Sequence, residues 1–373
     1  TRFHLPAYLM RPQRFRVVAL ADPSPERLAE ARTVVGLTED RCFKDARDLA
    51  QLPDVDVVDI CSPQRFHAQS ALAAAAAGKH ILTEKPIATV PADAQAMIEA
   101  ARQAGVILGV MHNYLFFPEL VAARRILASG EIGDVRVALL NYLGVPDLPG
   151  AESFRPSWRH DPIASGGGIL MDMLHVLYVA EDLLGGRAER VSSYISGRGG
   201  DTSVEALALC RLETDGPTGL VNVGWGHGPG GIVVEGDEGS IEIGYRNGGT
   251  SPFEPFEALV VKTGRGARRE PLPPGKETGP LVIEAVGAVF DDFAQAILGG
   301  HPPVASGEDG LHALEVTLAA YESAALGCSV AVPLARSDPL FRGGVAAIRE
   351  LGGPDWSPVR QQSLFRVESD VSQ

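Results

Sequence analysis

Cysteine is scarce in this chain of 373 residues, which holds four. Cys42, Cys61, Cys210 and Cys328 stand far apart, and none shows the short spacing of a zinc site. No metal centre is expected, and reduced thiols of a cytoplasmic protein are the simplest reading. Long apolar runs are also missing. The longest, Ala71 to Gly78, is alanine-rich and falls well short of the roughly 18 residues a membrane span needs. Positive charge is in deficit, with 33 Lys and Arg against 47 Asp and Glu, a net charge of −14. Nucleic acid and anionic membranes, both polyanions, are therefore poor partners. Internal repeats and low-complexity segments are absent.

What is there describes an ordinary globular protein, 45% hydrophobic and 21% charged. Its length favours two domains over one. The first third alternates strands with helices. Arg16 to Ala21 reads as a buried strand ending at Asp22, and Ser24-Pro25-Glu26 opens a helix that Gly36 stops. Val55 to Cys61, His80 to Thr83 and Val106 to Met111 are further strands. Helices from His67 to Ala77 and Pro91 to Ala104 separate them. That grammar predicts a parallel sheet with right-handed crossovers.

After a helix from Pro118 to Ser129 the pattern changes. Strands near 135–142, 191–196, 206–213, 219–225, 232–235, 240–245 and 258–262 follow one another with few helices between them. A mostly antiparallel sheet is expected there, completed by helices near 283–298 and 311–326. The expected fold is an α/β Rossmann-type domain over 1–117, an α+β domain over 118–335 and a tail over 336–373.

Ligands of a parallel sheet bind beyond the carboxyl ends of its strands. Asp22 lies at one such end, where it is equally well read as a ribose acceptor or as part of an Asp-Pro-Ser-Pro turn. Cys61-Ser62-Pro63 and Glu84-Lys85-Pro86 end two others. His67 by itself reads as a first-turn helix residue and Lys85 as a surface charge. Further on, Gly166-Gly167-Gly168 precedes one apolar helix predicted over 169–184, which carries Asp172 and His175 three positions apart on a shared face. A carboxylate and an imidazole on a buried helix require a partner or a wet cavity. A satisfied core pair is the plainer reading; the triple glycine favours a site.

These stretches together resemble the glucose–fructose oxidoreductase, inositol dehydrogenase and rhizopine catabolism (Gfo/Idh/MocA) family. The matching segments are VVALADPSPERLAEA at 17–31, Pro63 with His67, GKHILTEKPIA at 78–88, VMHNYLFFP at 110–118, GEIGDV at 130–135, SGGGILMD…H at 165–175 and EDGLHALEVTLAAYESAALG at 308–327. The resemblance implies an NAD(P)-dependent oxidoreductase acting on a secondary alcohol of a sugar, inositol or glycoside. Lys85, Asp172 and His175 match the family's active-site residues, with His175 assigned the base role and Pro86 following a cis peptide bond. Asp22, Cys61, Ser62, Pro63, His67, Glu84, Lys85, Pro86, His112 and Asn113 would border the cofactor. Trp158 and Arg159 would border the substrate, together with Lys85, Asp172 and His175.

NAD is expected over NADP, since Asp22 would repel a ribose 2′-phosphate. A homodimer or homotetramer through the second sheet is also expected, with Trp225 as a candidate contact. Two departures stand out. Asp172 and His175 are one residue closer than the family's D-x-G-x-H register. His4-Leu5-Pro6-Ala7 resembles the helix that follows the family's glycine loop, which implies a strand and loop upstream of Thr1. Two other readings stay open: redox-neutral glycoside cleavage or epimerisation with transient use of NAD, and a non-catalytic NAD(P) or sugar sensor. No arginine cluster is expected to cradle a nucleotide diphosphate, because Arg265, Arg268 and Arg269 fall in a solvated hairpin.

Overall fold

The computed structural model describes residues 2–145, 161–197, 204–226, 228, 230–244, 258–272 and 278–351. Within the first third, Val57–Ile60, His80–Thr83 and Leu108–Val110 form a three-stranded parallel sheet. Leu20–Ala21 pairs in parallel with Cys42–Phe43. Arg16 to Val18 was expected to extend that strand, but pairing begins only at Leu20. The helices follow their punctuation closely. Ser24 accepts the Arg27 N–H and Gly36 closes the Pro25–Val35 helix at φ 72°, while Gly105 closes Pro91–Ala104 at φ 67°. A left-handed residue at a helix end costs glycine nothing sterically.

The second sheet has nine strands, of which only Val135–Val145 and Thr218–Trp225 run parallel to each other. Its inner face reads directly off the alternation of buried residues. Ala138, Leu140, Ala208, Cys210, Leu212, Val221, Val223, Ile232 and Val234 are all buried, as the two-residue period of a half-covered strand requires. Gly266–Pro271 is the return strand of the hairpin expected at Arg265, Arg268 and Arg269, and Val330–Ala331 was not anticipated. The first is nearly all exposed and charged and the second is two residues long, so neither carries an apolar alternation.

The closing helices do more than complete the second unit. Thr278–Gly299 brings Phe290 and Phe293 onto Ala7, Leu82 and Met111 of the nucleotide fold. Gly307–Leu326 lies against Val110 through Gly310 and against the second sheet through Ser323, whose Oγ accepts the Ser193 N–H. Gly307–Leu326 therefore packs on both sheets. Pro339–Gly343 and the 3-10 turn after it bury Leu340, Phe341 and Ile348. The described part of the expected tail therefore packs on the body.

Candidate active site

The site begins at the carboxyl ends of the parallel strands. After Val57–Ile60 the chain turns through Cys61-Ser62-Pro63, and after His80–Thr83 it turns through Glu84-Lys85-Pro86. The Lys85–Pro86 peptide bond is cis. His67 is fully buried, and its two ring nitrogens lie 2.8 Å from the Ser62 carbonyl and 3.0 Å from the Pro86 carbonyl. It therefore acts as a strap between the two turns.

His4 ties a third element to the same edge. Its Nδ1 is 2.8 Å from Asp59 and its Nε2 is 2.9 Å from Glu84. Burial alone would lower His4, but the Asp59 carboxylate and Cys61 outweigh it and hold the imidazole well above its ordinary pKa. Burial likewise would raise Glu84, yet His4 and Lys85 hold its carboxyl below the usual range. His4, Asp59 and Cys61 could gather around a cation. Both nitrogens of His4 are already spent on carboxylates, which makes the group an ion network that seats the first helix. Nothing in the sequence marked His4 or Asp59 as functional, because their link runs between strand, helix and loop.

Across the cleft, the glycine run is followed by two short helices, Ile169–Asp172 and His175–Leu184. The single helix expected over 169–184 is thus broken at Met173 and Leu174. The break matters, because it lets Asp172 end one helix while His175 starts the next. Lys85 Nζ donates to the Asp172 carbonyl at 2.5 Å and lies 3.4 Å from Asp172 Oδ1. His175 is buried, with its ring stacked on Tyr114 at 4.0 Å and 10°. Its Nδ1 is 2.5 Å from the Tyr178 hydroxyl. Burial first, then the charge of Lys85 and the neighbouring His112, hold His175 well below its ordinary pKa. Lys85, Asp172 and His175 are therefore gathered at one place, although they lie on separate elements.

The three glycines answer to packing. Gly166 and Gly167 take φ of 80° and 155°, and a Cβ on Gly167 would sit 2.2 Å from the Tyr321 hydroxyl. A Cβ on Gly168 would meet the Glu205 carbonyl oxygen at 2.3 Å. Glu205 is the residue the sequence concealed. Its buried carboxyl accepts the N–H groups of Gly168, at 2.9 and 3.0 Å, and of Leu170, at 2.9 Å. The Tyr321 hydroxyl donates to it at 2.6 Å. Burial pushes the Glu205 carboxyl up to about 7. This knot fixes the backbone that delivers Asp172.

Ser62 Oγ, Gln64 Oε1 and His112 Nε2 are buried with no hydrogen-bond partner among the described residues. Ser62 and Gln64 follow the first strand of the three-stranded sheet, and His112 follows the third. His112 stacks on Tyr178 at 4.0 Å and 11°, and burial brings its pKa down to about 4. Asn113 beside it is buried at the start of a 3-10 turn. Asp22 sits at the end of Leu20–Ala21 and accepts the Ser24 N–H at 2.8 Å, so the turn reading of this residue is realised. Trp158 and Arg159 lie outside the described residues.

Comparison with known proteins decides the family. Residues 1–112 match the family model of Gfo/Idh/MocA oxidoreductases with an NAD-binding Rossmann fold, and residues 120–242 match a C-terminal domain model of the same family. The chain belongs to the Gfo/Idh/MocA family. It is 33% identical over 329 residues to 1,5-anhydro-D-fructose reductase of Ensifer adhaerens, covering 83% of this chain and 89% of that one. It is 31% identical over 236 residues to levoglucosan dehydrogenase of Pseudarthrobacter phenanthrenivorans, a match covering 63% of this chain and 57% of the relative.

Among solved structures, a levoglucosan dehydrogenase in complex with NADH and levoglucosan superposes with a TM-score of 0.73 at 27% identity. That match covers 89% of this chain and 96% of the other. The aldose-aldose oxidoreductase of Caulobacter crescentus gives a TM-score of 0.73 at 27% identity over 85% and 92%. Family membership makes this chain an NAD-binding oxidoreductase. The unpartnered buried atoms of Ser62, Gln64 and His112 fit such a cofactor, since they follow the carboxyl ends of the parallel strands, where such a sheet takes its ligands.

Proposed function

We propose that this Gfo/Idh/MocA protein interconverts a secondary alcohol and a ketone on a sugar, inositol or glycoside-like substrate. The observation that carries this reading is the Lys85 ammonium held at Asp172 beside buried His175. That arrangement stands at the strand ends where a parallel sheet takes its ligands. The substrates after which the relatives are named, levoglucosan and 1,5-anhydro-D-fructose among them, support a small carbohydrate.

Ser62, Gln64, His112 and Asn113 would hold the nicotinamide, which supplies or accepts the hydride when bound. The residues of the chain supply the rest. Lys85 Nζ reaches the reacting oxygen and stabilises negative charge developing on it, as a preorganised donor does. Asp172 holds the ammonium through both its carbonyl and its carboxylate. His175 faces the same oxygen from the opposite helix start. The apolar surroundings, with Tyr114 and Tyr178 packed against His175, keep bulk water from the reacting oxygen. Arg268, which was expected in a solvated hairpin, is spent on Glu131 and Glu270.

A panel of polyols, sugars and anhydrosugars with NAD and NADP, followed by nicotinamide absorbance, tests this reading. Absence of turnover across that panel with cofactor bound would favour the sensor. Turnover without net NADH would favour redox-neutral chemistry. Calorimetry should show tighter binding of NAD than of NADP, because the Asp22 carboxylate repels a 2′-phosphate, and Asp22→Ser should narrow the gap. NADP bound more tightly by the unaltered protein would rule that assignment out.

The outer face of the nine-stranded sheet supports self-association. Tyr194, Leu209 and Leu220 are exposed by 58%, 37% and 38%. Leu209 is paired with Tyr194 and with Asn222, whose amide bonds Asn141 at 2.7 Å. Trp225 is replaced as a contact, because it shares the parity of Val221 and Val223 and packs against the core. Sedimentation at micromolar concentration should show a dimer or tetramer. Leu209→Glu together with Leu220→Glu should shift it toward monomer, since an apolar face of this breadth is seldom left in water. A monomeric unaltered protein would end this reading.

A further inference from the structure

We infer that Tyr178 sets the tautomer of His175, so that His175 presents an Nε2–H donor to the reacting oxygen and Lys85 is the group that exchanges the proton. This rests on the oxidoreductase reading above and assigns roles within it. The argument is a count of protons around one buried hydroxyl. The Tyr178 hydroxyl accepts the Tyr114 N–H at 3.3 Å and lies 2.5 Å from His175 Nδ1. Among the described residues it has no other hydrogen-bond partner. A tyrosine hydroxyl carries one proton. Were Nδ1 the donor, the hydroxyl would accept twice and its own proton would be stranded in the core, which buried polar groups avoid. The hydroxyl therefore donates to Nδ1, and the neutral ring carries its hydrogen on Nε2.

The surroundings keep that state. Tyr178 stacks on His112 behind it, and His175 stacks on Tyr114. The groups facing His175 are Lys85, His112, Tyr114 and Tyr178. Burial together with the Lys85 charge and His112 disfavours an imidazolium there. Burial also keeps the Tyr178 hydroxyl protonated. A neutral imidazole with its N–H turned toward substrate polarises a carbonyl but cannot take a proton on that nitrogen. Lys85 then completes the chemistry. In the reducing direction the substrate oxygen takes one proton from Lys85 Nζ, while a bound reduced nicotinamide would supply the hydride to the carbonyl carbon. The resulting neutral amine regains its proton from solvent. In oxidation the same proton returns to the unprotonated amine. The sequence pointed to His175 as base because imidazole titrates near neutrality, and burial beside Lys85 and His112 removes that property.

Histidine-ring nitrogen NMR on the ligand-free protein tests this without reliance on turnover. His175→Asn identifies the signals. Between pH 6 and 8 the unaltered protein should show a pyridine-like Nδ1 and a pyrrole-like Nε2 for His175. Tyr178→Phe keeps the ring on His112 and removes the donor, so the pattern should be lost or reversed. In that variant kcat for the substrate found in the panel should fall by at least about tenfold, given that a wrong tautomer in a serine-protease triad costs about 10⁴. A pyrrole-like Nδ1 or an imidazolium in the unaltered protein overturns the proposal, as does an unchanged pattern in Tyr178→Phe. Failure of the wider oxidoreductase reading looks different: the NMR pattern stands while no carbohydrate turns over.

Discussion

Lys85→Met should lower kcat by about two to three orders of magnitude, roughly 3 to 4 kcal/mol of transition-state stabilisation, with little change in the affinity for NAD. Methionine keeps much of the bulk and discards the ammonium. The loss falls on charge that develops at the substrate oxygen, because Nζ is aimed at Asp172 across the cleft. Lys85→Arg is the informative control. Guanidinium restores positive charge but does not release a proton at neutral pH, so substrate binding should recover more than turnover. Combining Lys85→Met with His175→Ala should cost little more than the worse single change, since both groups act on one oxygen. Steady-state and single-turnover rates check each outcome, and near-normal turnover in Lys85→Met would remove Lys85 from the chemistry.

The pH profile carries its own expectation. Burial holds His112 at about 4 and His175 well below 6.5. No limb of the kcat profile should therefore centre near pH 6.5 through protonation of either histidine. The same depression makes a statement about stability. A histidine whose folded pKa is lowered supports the fold at neutral pH, and that support is lost as pH falls from about 6.5 toward 4.

The second large effect is expected far from any reacting atom. Glu205→Ala should destabilise the protein by about 3 to 5 kcal/mol and depress kcat through the loss of ordered backbone at Asp172. It strands the Leu170 N–H in the core, leaves the Gly168 N–H only its longer 3.3 Å bond to the Tyr321 hydroxyl, and takes away the acceptor of that hydroxyl; a buried group left without its partner costs roughly 1 to 3 kcal/mol. Glu205→Gln keeps an acceptor oxygen, so its loss should be smaller. The pH dependence supplies a sharper check. Burial raises the Glu205 carboxyl from 4.5 to about 7, so the folded state binds its proton more tightly than the unfolded chain. Its contribution is fully present below pH 4.5 and is lost as pH rises toward 7, about 3 kcal/mol in all. Glu205→Gln should flatten that slope, as measured by denaturant unfolding at several pH values. An unchanged slope would mean that Glu205 is ionised in the fold throughout.

Local chemistry in the sequence determined most of the secondary structure and one whole class of site residues. The Pro25–Val35, His67–Ala76 and Pro91–Ala104 helices end where glycine or proline changes the backbone options. The turns at Cys61-Ser62-Pro63 and Glu84-Lys85-Pro86 fall at strand ends, because apolar strands in a parallel sheet stop where polar residues begin. Lys85 by itself read as a surface charge, and Asp172 and His175 as a pair on one helix face after three glycines; the family resemblance is what joined the three as candidate site residues. Four things waited for the tertiary structure. His67 became a strap once Ser62 and Pro86 were seen on either side of it, and Glu205 acquired a role only through two backbone N–H groups and a tyrosine more than a hundred positions on. The break between Asp172 and His175, and the tautomer imposed by Tyr178, depend on how one buried turn packs against Tyr114 and His112. Periodicity records which face of an element is apolar, whereas hydrogen bonds between distant elements leave no periodic trace, so those roles emerge only when the sheets and helices are brought together.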